Sequence, residues 1–273
     1  MPTTSNVHLA PGITIPGIIS LGILMPVSLC LGGCAVSRSP SDPSAPLSPE
    51  LRIEEHQLEA EPELDPLTFV PVEGTRAQIL SRHQAQRAPS PRSPCDPCQV
   101  SLGDASLVAS MSVTDTRDGG QRVFAHVFRD GEPVCATALG DPCVVPPLWG
   151  LWASDDHWVL EVAHVEARRQ GGAVTCDPVG DIIRDGESLN ERYGYQESFG
   201  FQLMGGKPFY FFKRRGEWGV WYDGAEIPLG YSLISHYACC SGAATNLRSS
   251  DTMVAFFAER DGTRYYVEIG IFE

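Results

Sequence analysis

Residues 101–273 predict an all-β domain of repeated antiparallel hairpins, partial propeller-like or sandwich-like, and three observations carry that expectation. Short apolar or alternating runs recur after Leu102. Asp-Gly, Gly-Gly and Arg-Gly pairs separate them, the residue types that tight two-residue hairpin turns require. No amphipathic stretch longer than two helical turns interrupts the series.

The runs can be taken in order. Val123 to Phe128 leads into Arg129-Asp130-Gly131, and Trp158 to Val162 follows Asp155-Asp156. Phe199 to Leu203 is followed by Gly205-Gly206, Pro208 to Phe212 by Arg215-Gly216, and Trp218 to Tyr222 by Asp223-Gly224. Met253 to Ala258, then Arg260-Asp261-Gly262, then Tyr265 to Ile271 close the series. Some segments echo one another: Asp181 to Gly186 matches Gly219 to Gly224, and Tyr193 and Tyr231 follow those two turns at equal spacing. Such echoes suggest duplicated hairpin units. Trp218-Gly219-Val220, after a charged turn, resembles the WG-repeat proteins of bacteria, which implies a β array of related units. Adjacent aromatics must alternate across a strand, so Phe209 and Phe211 point to one face and Tyr210 and Phe212 to the other. Two packed layers are expected to cover both faces.

The chain divides into three parts on composition. Residues 1–33 read as a signal peptide: no Asp, Glu, Lys or Arg occurs before residue 35, and Ile13 to Leu31 is largely apolar. That run ends in Leu31-Gly32-Gly33-Cys34. The segment resembles a bacterial lipoprotein signal peptide, although its start carries no Lys or Arg. The resemblance implies lipidation of Cys34 and cleavage between Gly33 and Cys34. It places the mature protein outside the cytoplasm, in the cell envelope, held to the membrane through its N-terminal lipid. An uncleaved transmembrane anchor is the competing reading.

Residues 34–100 read as a disordered tether rich in proline and acid. Eleven of the 22 prolines fall between 35 and 100, and Glu54, Glu55, Glu59, Glu61, Glu63 and Asp65 make an acidic run. Short helices after Ser48-Pro49 and over Thr75 to Arg87 are the exceptions considered.

With Cys30 removed and Cys34 lipidated, seven cysteines remain: Cys95, Cys98, Cys135, Cys143, Cys176, Cys239 and Cys240. Outside the cytoplasm disulfides are the default. Cys135 and Cys143 bracket Gly140-Asp141-Pro142 and are the expected pair. Cys95 and Cys98 have redox-motif spacing but no helix start to lower a thiol pKa. A zinc or copper set built from His236, Cys239, Cys240 and Cys176 is the alternative weighed against disulfides.

No Gly-x-Ser-x-Gly elbow, phosphate loop or His-Glu-x-x-His is present. His157 and Glu161 are expected to share a solvent face, with His164 on the other side, so the three do not converge. Asp181, Asp185 and Glu187 offer carboxylates, but Asp185-Gly186 reads as a turn. No catalytic residue, metal ligand or cofactor is assigned. A net charge of −14 argues against nucleic acid. The expected partners are the membrane, through the lipid, and a protein or glycan ligand for a binding or envelope-structural domain. An extracytoplasmic hydrolase acting on glycan or peptide is the alternative.

Overall fold

The computed structural model describes residues 51–58, 90–91, 93–143, 145–170, 173–237 and 247–271. Cys34, Cys239, Cys240 and the segment Thr75 to Arg87 lie outside the described residues. In chain order the strands begin with β1 (Arg52–Leu58), β2 (Ser90–Pro91), β3 (Cys98–Leu102), β4 (Ala105–Asp115), β5 (Gln121–Arg129) and β6 (Glu132–Gly140). Next come β7 (Leu148–Ser154), β8 (His157–Gln170), β9 (Ala173–Arg184) and β10 (Glu187–Ser188), and the short helix α1 (Leu189–Tyr193). The chain continues with β11 (Glu197–Met204), β12 (Lys207–Arg214), β13 (Glu217–Tyr222) and β14 (Ala225–Tyr231). It ends with β15 (Leu233–Ile234), β16 (Arg248–Ser249), β17 (Met253–Arg260) and β18 (Thr263–Gly270).

Among the described residues the strands form three sheets of antiparallel hairpins, an all-β arrangement of the sandwich-like kind. One sheet runs β1-β18-β17-β16-β2, with β15 added on β17. A second runs β10-β9-β8-β6-β5-β4-β3, with β7 also on β8. The third is the meander β11-β12-β13-β14. Turn chemistry dictates the hairpins. Asp130-Gly131, Asp185-Gly186, Arg215-Gly216, Asp223-Gly224 and Asp261-Gly262 each carry two successive positive φ angles, 48° to 54° and then 72° to 88°. A type I′ turn requires that pattern, and it matches the right-handed twist of the flanking strands. The echo between Asp181–Gly186 and Gly219–Gly224 therefore reflects shared turn chemistry, because the two hairpins lie in different sheets.

The meander sits between two cores. Phe209 and Phe211 join Val254, Phe256, Val267 and Ile269 of the first sheet in one core. Tyr210 and Phe212 join Val159 and Ile182 of the second sheet in another. Both faces of β12 are covered, as expected from the run of four aromatics. A β-bulge between Phe199 and Gln202 lets β11 serve both cores. Gly200 in the bulge has φ +75°, and a Cβ there would come 2.8 Å from the Phe211 ring. The extra residue turns Phe199 onto Phe211, at 5.1 Å between stacked rings, and sends Phe201 to the opposite side. A third core lies inside the second sheet, where Leu160 and Val162 meet Leu107, Ala109, Ala125 and Val127.

The tether expectation for residues 34–100 is corrected at both ends. β1 pairs with β18 over its full length, Arg52 opposite Gly270 through Leu58 opposite Arg264. Leu51 and Ile53 pack into the core beneath it. The acidic composition masked this strand because its charges find partners. Arg260 holds Glu55 through Nη1 at 3.2 Å and Nη2 at 2.8 Å, and the Tyr231 hydroxyl also donates to it. Burial raises the Glu55 pKa, but the bonds from Arg260 and Tyr231 outweigh it and hold the carboxyl below its usual range. At the other end Cys95 is bridged to Cys98, and β3 begins at Cys98.

Candidate functional site

The turn between β7 and β8, the end of β9, α1 and the β12–β13 hairpin converge on a groove with an aromatic floor. Tyr210 and Trp221 are cross-strand partners whose rings stack at 5.3 Å and 9°. Phe201 lies beside them, against Trp152 at 5.1 Å. The rim is polar: Ser154, Asp155, His157 and Arg184, with Tyr193 at the open edge. The cavity measures about 50 Å³. That is room for a few waters and well under the roughly 300 Å³ of the smallest pockets that enclose a small molecule. Tyr210 and Phe201 are themselves buried, so the ring surface a ligand can reach is that of half-buried Trp221, with exposed Tyr193 beside it.

The floor is rigid because it is wired to the meander. Tyr210 is hydrogen-bonded to Tyr195, whose hydroxyl donates to Glu226 at 2.7 Å. Arg214 closes the chain, donating to both Glu226 oxygens at 2.5 and 3.0 Å and to the Tyr193 carbonyl at 3.0 Å. Burial, chiefly, pushes the Tyr195 and Tyr210 hydroxyls far above their usual range, so both remain protonated donors. The α1 helix that carries Tyr193 is capped by Ser188, whose hydroxyl accepts from Glu191 N at 3.2 Å and donates to Asp181 at 2.9 Å.

The titratable residues singled out from sequence do not assemble. His157 Nδ1 meets Asp185 Oδ2 at 2.5 Å on the groove rim. Asp185 also accepts from Trp158 N at 3.0 Å and occupies its turn, as its spacing before Gly186 implied. His164 sits on Asp181 at 3.3 Å and on the Ala138 carbonyl at 3.0 Å. Glu187 pairs with Arg192. Among the described residues, Asp155 is the carboxylate that lines the groove.

Glu161 departs most from expectation. It is fully buried, not a solvent-facing partner of His157. Its Oε2 accepts from Phe201 N at 2.8 Å and its Oε1 from the Tyr237 hydroxyl at 2.6 Å. It belongs to a polar seam where the edge of β9 meets the edge of β11. There Glu197 accepts from Gly180 N at 2.9 Å and Ser198 Oγ from Ile182 N at 3.0 Å, in place of ladder bonds. The signal available in sequence was the unbroken apolar run around it, since a strand apolar on both faces buries every member.

The expected Cys135–Cys143 bridge is corrected. Cys143 is bridged to Cys176, with Cα atoms 6.4 Å apart, and Cys135 is a free thiol on β6. β6 stays extended from Cys135 to Gly140, which separates those positions by about 17 Å before the turn begins, beyond the roughly 4.4–6.8 Å that a disulfide spans. Burial pushes the Cys135 thiol pKa up. The metal alternative through Cys176 falls with the same bridge. His236, moreover, spends Nδ1 on the Ile234 carbonyl and Nε2 on Glu197, each at 2.7 Å.

No family model matches the chain, and no curated protein matches it.

Proposed function

We propose that this protein is an exported lipoprotein whose β domain binds glycan through the Tyr210–Trp221 groove. The observation that carries the binding reading is the aromatic floor with a polar rim. The flat C–H face of a sugar lies against an aromatic ring, while its hydroxyls meet Ser154, His157 and Arg184. The cavity is too small to enclose a metabolite, so the sugar would rest on the half-buried Trp221 face as one ring of a polymer. A glycosidase would need two carboxylates flanking the sugar, and Asp185 is committed to His157 and its own turn. Purified full-length protein in detergent should bind cell-wall polysaccharide in a pull-down and by calorimetry. Trp221→Ala is expected to weaken that binding about tenfold, near 1.4 kcal/mol, and Trp221→Phe less. Equal affinity of wild type and Trp221→Ala would reject the groove.

The anchoring reading rests on the Leu31-Gly32-Gly33-Cys34 box, and the two disulfides among the described residues are in keeping with an oxidising compartment. Cys34→Ser is expected to accumulate as an unprocessed precursor without a lipid mass. Normal maturation of that variant would remove the lipoprotein assignment.

A further inference from the structure

The junction of β1 with β18 holds a set of groups that hairpin pairing does not explain. Glu54 stands directly opposite Glu268, and His56 opposite Tyr266, so all four project from one face of the sheet. Glu268 is fully buried, and Glu54 and His56 are half-buried. One ligand atom from each of Glu54, His56 and Glu268 lies within 4.8 Å of the other two. The His56 Nε2 is itself buried and has no hydrogen-bond partner. A buried imidazole nitrogen left so is costly. One cation between the three side chains would give the ring its partner.

We propose that Glu54, His56 and Glu268 bind a divalent cation of the zinc class, which staples β1 to β18. One imidazole and two carboxylates fall within zinc's donor set, whereas calcium and magnesium take six or more oxygens. Tetrahedral bonds of roughly 2.0–2.2 Å place ligand atoms about 3.4 Å apart, so small side-chain rotations close the set on the ion. The Tyr266 hydroxyl, 3.1 Å from Glu268 Oε1, orients that carboxylate as outer-shell donors do at zinc sites. With three protein ligands the fourth position falls to water. Arg248 provides the competing explanation: it pairs with Ala255, which in turn pairs with Glu268, so its guanidinium shares the row.

The test uses the full chain, stripped with a chelator and titrated with zinc chloride by calorimetry. One zinc per chain is expected, with binding at least tenfold weaker in His56→Gln and in Glu54→Gln and unchanged in Cys135→Ser. Cobalt in place of zinc should give visible d–d bands without sulfur-to-metal charge transfer. Hydrogen exchange supplies a readout that does not depend on variants: zinc should slow exchange of the β1 amides in the wild-type chain. No zinc uptake, unchanged uptake in both variants, a thiolate spectrum, or a preference for calcium or magnesium would each overturn the site. Destabilisation by Arg248→Gln in a chain that takes up no zinc would assign the counter-charge to Arg248 instead.

Discussion

Glu161→Leu is expected to destabilise the domain by about 3 kcal/mol, a drop of about 6–12 °C in Tm for a domain of this size. The change removes the acceptor of Phe201 N and of the Tyr237 hydroxyl, both inside the protein. Each donor left unsatisfied costs about 1–3 kcal/mol, and the apolar side chain returns part of that by ending the burial of a polar group. Glu161→Gln keeps one acceptor oxygen in nearly the same place and should fall between leucine and wild type. The effect is large because Glu161 on β8 and Phe201 on β11 belong to different sheets that meet here through side chains, so the lost acceptor loosens the contact between sheets. Denaturant unfolding checks the series. A leucine variant within about 0.5 kcal/mol of wild type, the range of an ordinary surface change, would show that the seam carries no stability.

The hairpins were legible from sequence because their cause is local. An Asp-Gly or Arg-Gly pair at a type I′ turn, with alternating apolar residues beside it, needs nothing from the rest of the chain. The opposed faces of Phe209–Phe212 were legible for the same reason, since strand alternation is a property of the backbone. What stayed hidden depends on pairing across long separations. β1 reads as a solvated acidic run until Arg260 and Tyr231 are brought to Glu55 from more than 170 residues away. Glu161 reads as a surface residue on His157's face until β11 closes over it. The groove follows the same logic: Tyr210 and Trp221 were visible as strand aromatics, but Tyr193, His157 and Arg184 reach the same place only once the second sheet and the meander are stacked. The cysteine pairing failed because a turn sequence near two cysteines says nothing about where the strand before it ends.

Loss of the Cys143–Cys176 bridge is expected to have the second large effect. The eight-stranded sheet is thin where β6 meets β8: among the described residues a single parallel pair, Gly140 opposite Val165, joins its two halves. Around it lie further bonds, Asp141 N to the Val165 carbonyl at 3.0 Å and Ala167 N to Asp141 Oδ2 at 3.2 Å among them. Cys143 follows β6 and Cys176 lies in β9, so the disulfide crosses this junction. Its sequence separation is 33 residues. Closing a loop of that length in the unfolded chain is worth about 3–4 kcal/mol on the chain-entropy estimate. Cys143→Ser with Cys176→Ser should therefore lower stability by that order, and reductant should add little further loss beyond the contribution of Cys95–Cys98. Cys135→Ser, which breaks no bridge, should cost less than about 1 kcal/mol. Hydrogen exchange should show the loss spreading through β6 and β8 before the meander, because the meander makes no use of the junction. Peptide mapping under non-reducing conditions decides the premise: a peptide joining Cys143 to Cys135, or Cys143 alkylated as a free thiol, would overturn it.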